Sequence, residues 1–373
     1  MRPCRKRGED TLSAAAENIK RRGKRILVLR YRFIGDTILT VPFLRNLRRA
    51  EPDAWIAWVV APGSTDVVRG IPYVDELIYW DPVTIHADCR ATHRTLSAKI
   101  AFLRELRSKG FDKAYVLKRS FSSAVMAWLS GARERVGFDT EGRGFLLTKG
   151  VKYRHDQHEV NNFLDVLRAD GVPVADDHLE AWLSEEEKAF AADFFAANGI
   201  SETDTVVGIH PFAANQTRAW HEDNYIEVAH ALQRRYGVKI VIFGGARDVE
   251  LGNYLKDRIA PEPVLAVANT TLRQTMAILS RLNLLLCNDS GIMHLAASLG
   301  TPLAALFGPQ SPVKFGPWGN GCKVIYSKFP CSPCRQKFFQ ECKPSPRSKP
   351  ECMEAISVED VLETIDKSGV MSR

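Results

Sequence analysis

From residue 25 onward the chain alternates short apolar runs with longer segments whose apolar residues recur every three or four positions. The runs at 25–30 (RILVLR), 54–60, 76–80, 113–117 and 135–138 predict strands. Between them, residues 36–49 predict a helix with Ile38, Val41, Leu44 and Leu47 turned inward, and 96–108, 124–129 and 158–169 predict three more. In the last of these Val160, Phe163, Leu164 and Leu167 keep helical spacing. A second series starts after 170–177. It offers helices at 185–197, 223–235, 248–257, 272–280 and 291–299, and strands at 205–210, 239–243, 264–267, 284–287 and 303–307. Residues 357–365 predict a last helix, with Ser357 as N-cap and Asp360 three positions on.

Strands that alternate with helices call for parallel sheets joined by right-handed crossovers. Two such series of similar length predict an α/β protein with two doubly wound parallel-sheet domains facing across a cleft. Ligands are expected at the carboxyl ends of the strands, where the strand order reverses. The length, 373 residues, suits two cores better than one. The expected divisions are a basic tail (1–24), a first domain (25–178), a second domain (179–327), a Cys-rich loop (328–353) and a C-terminal segment (354–373).

The 45% hydrophobic and 25% charged composition is that of an ordinary globular protein. No apolar stretch is long enough to span a bilayer, and the N-terminus lacks the apolar core of a secretory signal, so a cytoplasmic location is expected. The net charge of +7 is concentrated: nine Lys and Arg residues but three acids fall within 1–25. That tail is either a solvated extension or a patch drawn to anionic headgroups, worth about 1 kcal/mol per basic residue near a membrane. The body shows no matching basic and aromatic stripe, so nucleic acid is not an expected partner.

Three strand-to-helix junctions carry candidate chemistry. Ile34-Gly35-Asp36 places a flexible residue, suited to close backbone approach, before a carboxylate at a helix start. Asp36 either caps that helix or acts as a general base that takes a proton from a bound hydroxyl. The loop from His210 to Trp220 follows a strand and carries Arg218, a permanent planar cation suited to phosphate. Cys287-Asn288-Asp289-Ser290-Gly291 joins a buried strand to an apolar helix. Small residues there leave free N–H donors for a diphosphate, and His294 lies one turn beyond Ser290. The first of these two loops also reads as a surface Arg beside a packed Trp, and the second as an N-cap followed by a core histidine. Separately, Cys331, Cys334, Cys342 and Cys352 in a polar loop could hold one structural zinc, remain free thiols, or form disulfides in an oxidising setting.

The order of these segments resembles the lipopolysaccharide heptosyltransferases of glycosyltransferase family 9. The resemblance rests on RILVLRYRFIGDTILTVPFLRNLR, HPFAANQTRAWHEDNYIEVA, LLLCNDSGIMHLAASLGTPLAALFGP and the Cys-rich PCSPCRQKFFQECK. It implies the GT-B arrangement of two Rossmann-like domains, with the acceptor domain first and the nucleotide-sugar domain second. The last helix would then pack back towards the first domain. It implies inverting transfer of a heptose from ADP-heptose to an inner-core lipopolysaccharide acceptor at the cytoplasmic face of the inner membrane, with no cofactor or catalytic metal. Asp36 falls on the base. Asn215, Thr217, Arg218, Asp289, Ser290, Gly291 and His294 fall on the donor sugar-phosphate site, with Arg218 where Lys is common and Ser290 where Thr is common. Asp248 or Glu250 would take ribose hydroxyls, and Thr270 and Thr271 lie near the adenine pocket. Arg30, Arg32, Lys118, Arg119 and Arg143 are candidates for the phosphates or carboxylates of an acidic acceptor. Three other readings stay open: a family 9 transferase using another sugar or acceptor, an epimerase of the same architecture, and an inactive nucleotide-sugar-binding scaffold.

Overall fold

The structure is a computed structural model, and it describes residues 23–82, 92–334, 336–337, 342 and 344–372. The basic tail therefore lies almost wholly outside the described residues, as do Cys4 and Cys89. Among the described residues, twelve strands form two parallel sheets of six. The first contains β1 (Arg25–Leu29), β2 (Trp55–Val60), β3 (Glu76–Tyr79), β4 (Lys113–Val116), β5 (Glu134–Phe138) and β6 (Lys149–Val151), in the order β3-β2-β1-β4-β5-β6. The second contains β7 (Val206–His210), β8 (Lys239–Gly244), β9 (Val264–Val267), β10 (Leu284–Asn288), β11 (Leu303–Phe307) and β12 (Cys322–Tyr326), in the order β12-β11-β10-β7-β8-β9. The central strands are buried on both faces, which is why they read as continuous apolar runs. Strand order reverses between β1 and β4 in one sheet and between β7 and β10 in the other.

The helices that matter below are α1 (Ile34–Ile38), α2 (Val41–Ala50), α3 (Glu159–Ala169), α4 (Glu185–Ala197), α5 (Glu222–Tyr236), α6 (Val249–Lys256), α7 (Leu272–Leu279), α8 (Gly291–Ser298) and α9 (Val358–Ser368). The single helix expected at 36–49 is thus two. Pro42 has no N–H to continue the ladder, and the chain breaks at Leu39–Thr40 before α2 resumes. Ile38, Val41, Leu44 and Leu47 are all buried regardless, because the turn preserves their common face. Two edge strands, β6 and β12, went unread. Each is short, and β6 is only Lys-Gly-Val.

The last helix corrects an expectation. The capping box at Ser357 and Asp360 is present, with Asp360 N–H donating to Ser357 Oγ at 3.0 Å. However, α9 does not pack back on the first sheet. Its Val361, Leu362 and Ile365 join Val228 and Leu232 of α5 and Ile325 of β12 in one core, so the helix belongs to the second half. Asp366 secures it by ion-pairing Arg235 at 2.8 Å. No helix among the described residues is long and apolar enough to cross a membrane.

Two buried arginines fasten the segment between the halves. Arg45 on α2 donates to Glu180 Oε1 at 2.5 Å, to the His178 carbonyl at 2.6 Å, and to Asp176. Arg273 on α7 donates from Nε to Glu187 Oε1 at 2.6 Å and from Nη1 to the Asp66 carbonyl at 2.9 Å, and so reaches across to the first half. Burial pushes the Asp176 carboxyl up, but hydrogen bonds from Arg45 and Arg49 outweigh it and hold Asp176 below its usual value. A depressed carboxylate lends stability above its unfolded pKa and loses it as the pH falls. Arg45→Ala should therefore cost roughly 1–3 kcal/mol in urea unfolding at neutral pH, with the gap to the wild type narrowing below about pH 4.

Candidate functional site

The carboxyl ends of β1, β4, β7 and β10, the four strands flanking the two order reversals, face one another across a cleft of about 710 Å³. One wall carries the chain after β1 and β4. Asp36 sits in the first turn of α1, whose N-cap is Phe33 with no side-chain cap bond. Asp36 is the third residue of that helix, where its charge suits the helix dipole. Its carboxylate lies 2.6 Å from Arg30 Nη2 and faces the cleft.

Gly35 does serve a close approach, but of protein. A Cβ there would stand 2.6 Å from His294 Cδ2 on α8. The helix that carries Asp36 and the helix that opens at Ser290 therefore touch directly, with Gly291 against Ile34 alongside. Burial pushes the His294 imidazole down to about 3, with His158 adding to the effect, so the ring is neutral. Its Nδ1 is buried and has no hydrogen-bond partner among the described residues.

The opposite wall is built from the loops after β7 and β10. Buried Asn288 joins them: its Oδ1 accepts from Trp220 N–H (3.2 Å) and Tyr225 Oη (2.9 Å), and its Nδ2 donates to the Pro211 carbonyl (2.8 Å). Ser290 occupies the N-cap position of α8 but makes no cap bond; its hydroxyl lies 3.4 Å from His210 Nδ1. The first N–H groups of α8 have no acceptor within the helix, which leaves them available to an anion. Arg218 Nη1 lies 3.1 Å from Asp289 Oδ2, without hydrogen-bond alignment. Burial pushes the Asp289 carboxyl up to about 6, and Arg218 pulls it partly back.

Of the residues singled out from the sequence, Arg30, Arg32, Asp36, Lys118, Arg119, Asn215, Arg218, Asp289, Ser290, Gly291 and His294 line this one cleft. Thr217 is buried beneath it, donating its hydroxyl to Asn215 Oδ1 at 2.9 Å. Asp248, Glu250, Thr270 and Thr271 follow β8 and β9, beyond the cleft wall. Asp248 accepts from Gly245 N–H at 2.8 Å, and Thr271 caps α7, while Glu250 is exposed on α6. Arg143 is a correction. It is fully buried and donates to the Phe138, Lys118 and Ser120 carbonyls at 2.9, 2.7 and 2.7 Å, so it shapes the loop after β4 and cannot reach an acceptor.

The first-half wall is strongly basic. Lys118 stands 4.2 Å over the Tyr31 ring. Burial, then repulsion from Arg32 and Arg30, pushes its ammonium down to about 8, against the pull of Asp36. Sequence reasoning missed Glu159, a buried carboxylate at the start of α3. It accepts from Tyr153 Oη at 2.5 Å and stands 3.9 Å from Arg119 and 4.0 Å from Lys314, which comes from the second half. An acid at a helix N-terminus reads as a dipole complement, and nothing local marks it as cleft-facing. Gln336 was also missed: from the Cys-rich loop it accepts from Arg218 Nε at 2.8 Å.

The four cysteines of the loop lie near enough to feel one another's charge, Cys352 with Cys342, Cys331 and Cys334. Cys331 and Cys334 are exposed, Cys342 is half-buried and Cys352 is buried. Among the described residues no three His, Cys, Asp or Glu side chains are grouped to hold a metal ion.

Asp289 yields a test of the site's electrostatics. Its raised carboxyl costs the folded state nothing while protonated in both states, and the cost grows as the pH passes from about 4 to about 6. Asp289→Asn should match the wild type in stability near pH 4 and exceed it by roughly 1–3 kcal/mol at pH 7.5, read by urea unfolding without nucleotide.

Comparison with known proteins agrees with this geometry. The model of glycosyltransferase family 9 (heptosyltransferase) matches residues 99–343, well over half of the chain. Lipopolysaccharide heptosyltransferase 2 of Escherichia coli is 27% identical over 322 residues, covering 81% of this chain and 87% of that protein. Lipopolysaccharide core heptosyltransferase OpsX of Haemophilus influenzae is 22% identical, covering 81% and 84%. Among solved structures, a family 9 glycosyltransferase from Veillonella parvula superposes with a TM-score of 0.80 at 27% identity, covering 94% of this chain and 98% of that one. The E. coli ADP-heptose heptosyltransferase II shares the fold at TM-score 0.72 and 24% identity, covering 93% and 99%. With its two six-stranded parallel sheets in the GT-B arrangement and its motifs gathered at one cleft, the chain belongs to glycosyltransferase family 9 and is a glycosyltransferase.

Proposed function

We propose that this glycosyltransferase moves a heptose from ADP-heptose to an acidic inner-core lipopolysaccharide acceptor, with inversion and with Asp36 as general base. The observation that carries the reading is the opposition, across one cleft, of a carboxylate in a basic wall and a cation beside a helix N-terminus. The names of the relatives support the sugar and the acceptor class. Arg30 holds the Asp36 carboxylate in place. Asp36 takes the proton of an acceptor hydroxyl as its oxygen attacks the anomeric carbon, and the bond to the diphosphate breaks. Arg218 and the N–H groups at Ser290-Gly291 stabilise the departing ADP where charge develops. Arg32, Lys118 and Arg119 meet the acceptor's anionic groups. Asp248, Glu250, Thr270 and Thr271 lie further along the same carboxyl-terminal edge, where the nucleoside would extend. The acceptor's lipid places the reaction at the inner face of the membrane, to which the basic tail adds attraction.

The purified chain should release ADP from ADP-heptose only when a heptose-deficient lipid A core is present. Release of UDP from a UDP-hexose would replace the donor. ADP binding without turnover on any sugar would leave a scaffold.

Two substitutions separate the two walls. Asp36→Asn keeps the volume but removes the base, and should lower kcat roughly 10²–10⁴-fold while ADP affinity stays within about threefold; near-normal turnover would remove Asp36 from the chemistry. Arg218→Ala should weaken ADP binding and slow transfer together, and Arg218→Lys should recover part of both. Calorimetry that finds ADP affinity unchanged in Arg218→Ala would take this residue out of the donor site.

A further inference from the structure

The Cys-rich loop has no part in the chemistry above, yet it reaches the cleft. Cys334 N–H donates to the Pro309 carbonyl at 3.0 Å, anchoring the loop beside the chain that follows β11. Gln336 N–H then donates to Cys334 Sγ at 3.3 Å, and Gln336 takes φ 59°, a left-handed conformation that a non-glycine residue adopts only under local constraint. The result is a side chain directed at the nucleotide wall. Gln336 Oε1 accepts from Arg218 Nε at 2.8 Å and from Asn215 Nδ2 at 3.3 Å, while its Nε2 donates to Gln310 Oε1 at 2.8 Å. A guanidinium rotates about its last side-chain bonds unless an edge is held. Here Nε is held by Gln336 and Nη1 faces Asp289, which fixes the plane and leaves Nη2 for a ligand. A neutral amide does this without cancelling the charge, as a carboxylate would.

We propose that Gln336 is a positioning residue for Arg218: the Cys-rich loop enters the cleft to fix the guanidinium plane against the departing diphosphate. This rests on the donor role given to Arg218 above. The loop would then serve catalysis through one amide whether or not its thiols bind anything.

The test is a double-mutant cycle on the full chain, with Gln336→Met chosen to keep the length and remove all three side-chain hydrogen bonds. In the wild-type background it should lower kcat for transfer about 10- to 100-fold, the scale of a small misplacement of a catalytic group, with melting temperature unchanged. In the Arg218→Lys background, where no guanidinium needs orienting, the same change should alter kcat less than about twofold. A loop that merely shapes the cleft would cost the same factor in both backgrounds, and that result overturns the proposal, as does normal turnover in Gln336→Met alone. Arg218→Ala is the control that separates the two readings. If it leaves ADP affinity and turnover unchanged, the donor role of Arg218 fails, and the positioning role with it. If it impairs both while Gln336→Met does nothing, only the positioning role fails.

Discussion

A parallel sheet whose strand order reverses sends the chain to opposite faces on either side of the reversal, and the crevice left between the two outgoing loops is where a ligand fits. This protein contains that constraint twice, between β1 and β4 and between β7 and β10, with the two crevices facing each other. Most of the site follows from it. Asp36 and the Lys118-Arg119 pair come from the strands on either side of the first reversal, and Arg218 and Asp289 from those on either side of the second. Residues more than two hundred positions apart meet because topology leaves them nowhere else to point. Asn288 then ties the two donor loops together with three hydrogen bonds at the base of their crevice.

The electrostatics of the two walls differ in kind. The first-half wall concentrates Arg30, Arg32, Lys118 and Arg119, joined by Lys314, around two carboxylates, Asp36 and Glu159. Burial first, and Arg32 and Arg30 after it, depress the Lys118 ammonium, so an anion beside it would favour its charged form. The second-half wall uses neutral groups more: main-chain N–H at a helix start, an uncharged histidine, and an amide behind one arginine. The two partners proposed above, an acidic acceptor and a diphosphate, would thus be met by different devices.

The alternation of apolar runs and amphipathic segments made the two-sheet architecture readable, and the three strand-to-helix junctions pointed to the site. What stayed hidden was decided by distance. The stripe on residues 357–365 says that the helix packs, but not on which half. Pro42 was read through because the apolar period continues across it. Arg143 looks like a surface charge; it is buried because the turn after β4 gathers main-chain carbonyls to match its fork. Glu159, Lys314 and Gln336 carry no local signal, since each acts only where another part of the chain arrives. Asp36 is placed as the sequence placed it, in the first turn of a helix and facing the cleft, a position that suits both the dipole and a base.

The contact between Gly35 and His294 has a consequence for how such a sequence can diverge. The halves already share one apolar cluster of buried residues, which includes Ile26 and Val28 on one side and Leu285 and Cys287 on the other. At this point the two histories are joined, because a methyl group at position 35 would occupy space the imidazole already holds. A lineage that enlarges position 35 must first shrink or turn the residue at 294, and one that replaces the histidine by something bulkier must open the helix pair that presents Asp36. The two positions should therefore change together across descendants of this chain, an evolutionary coupling imposed by shape rather than by charge.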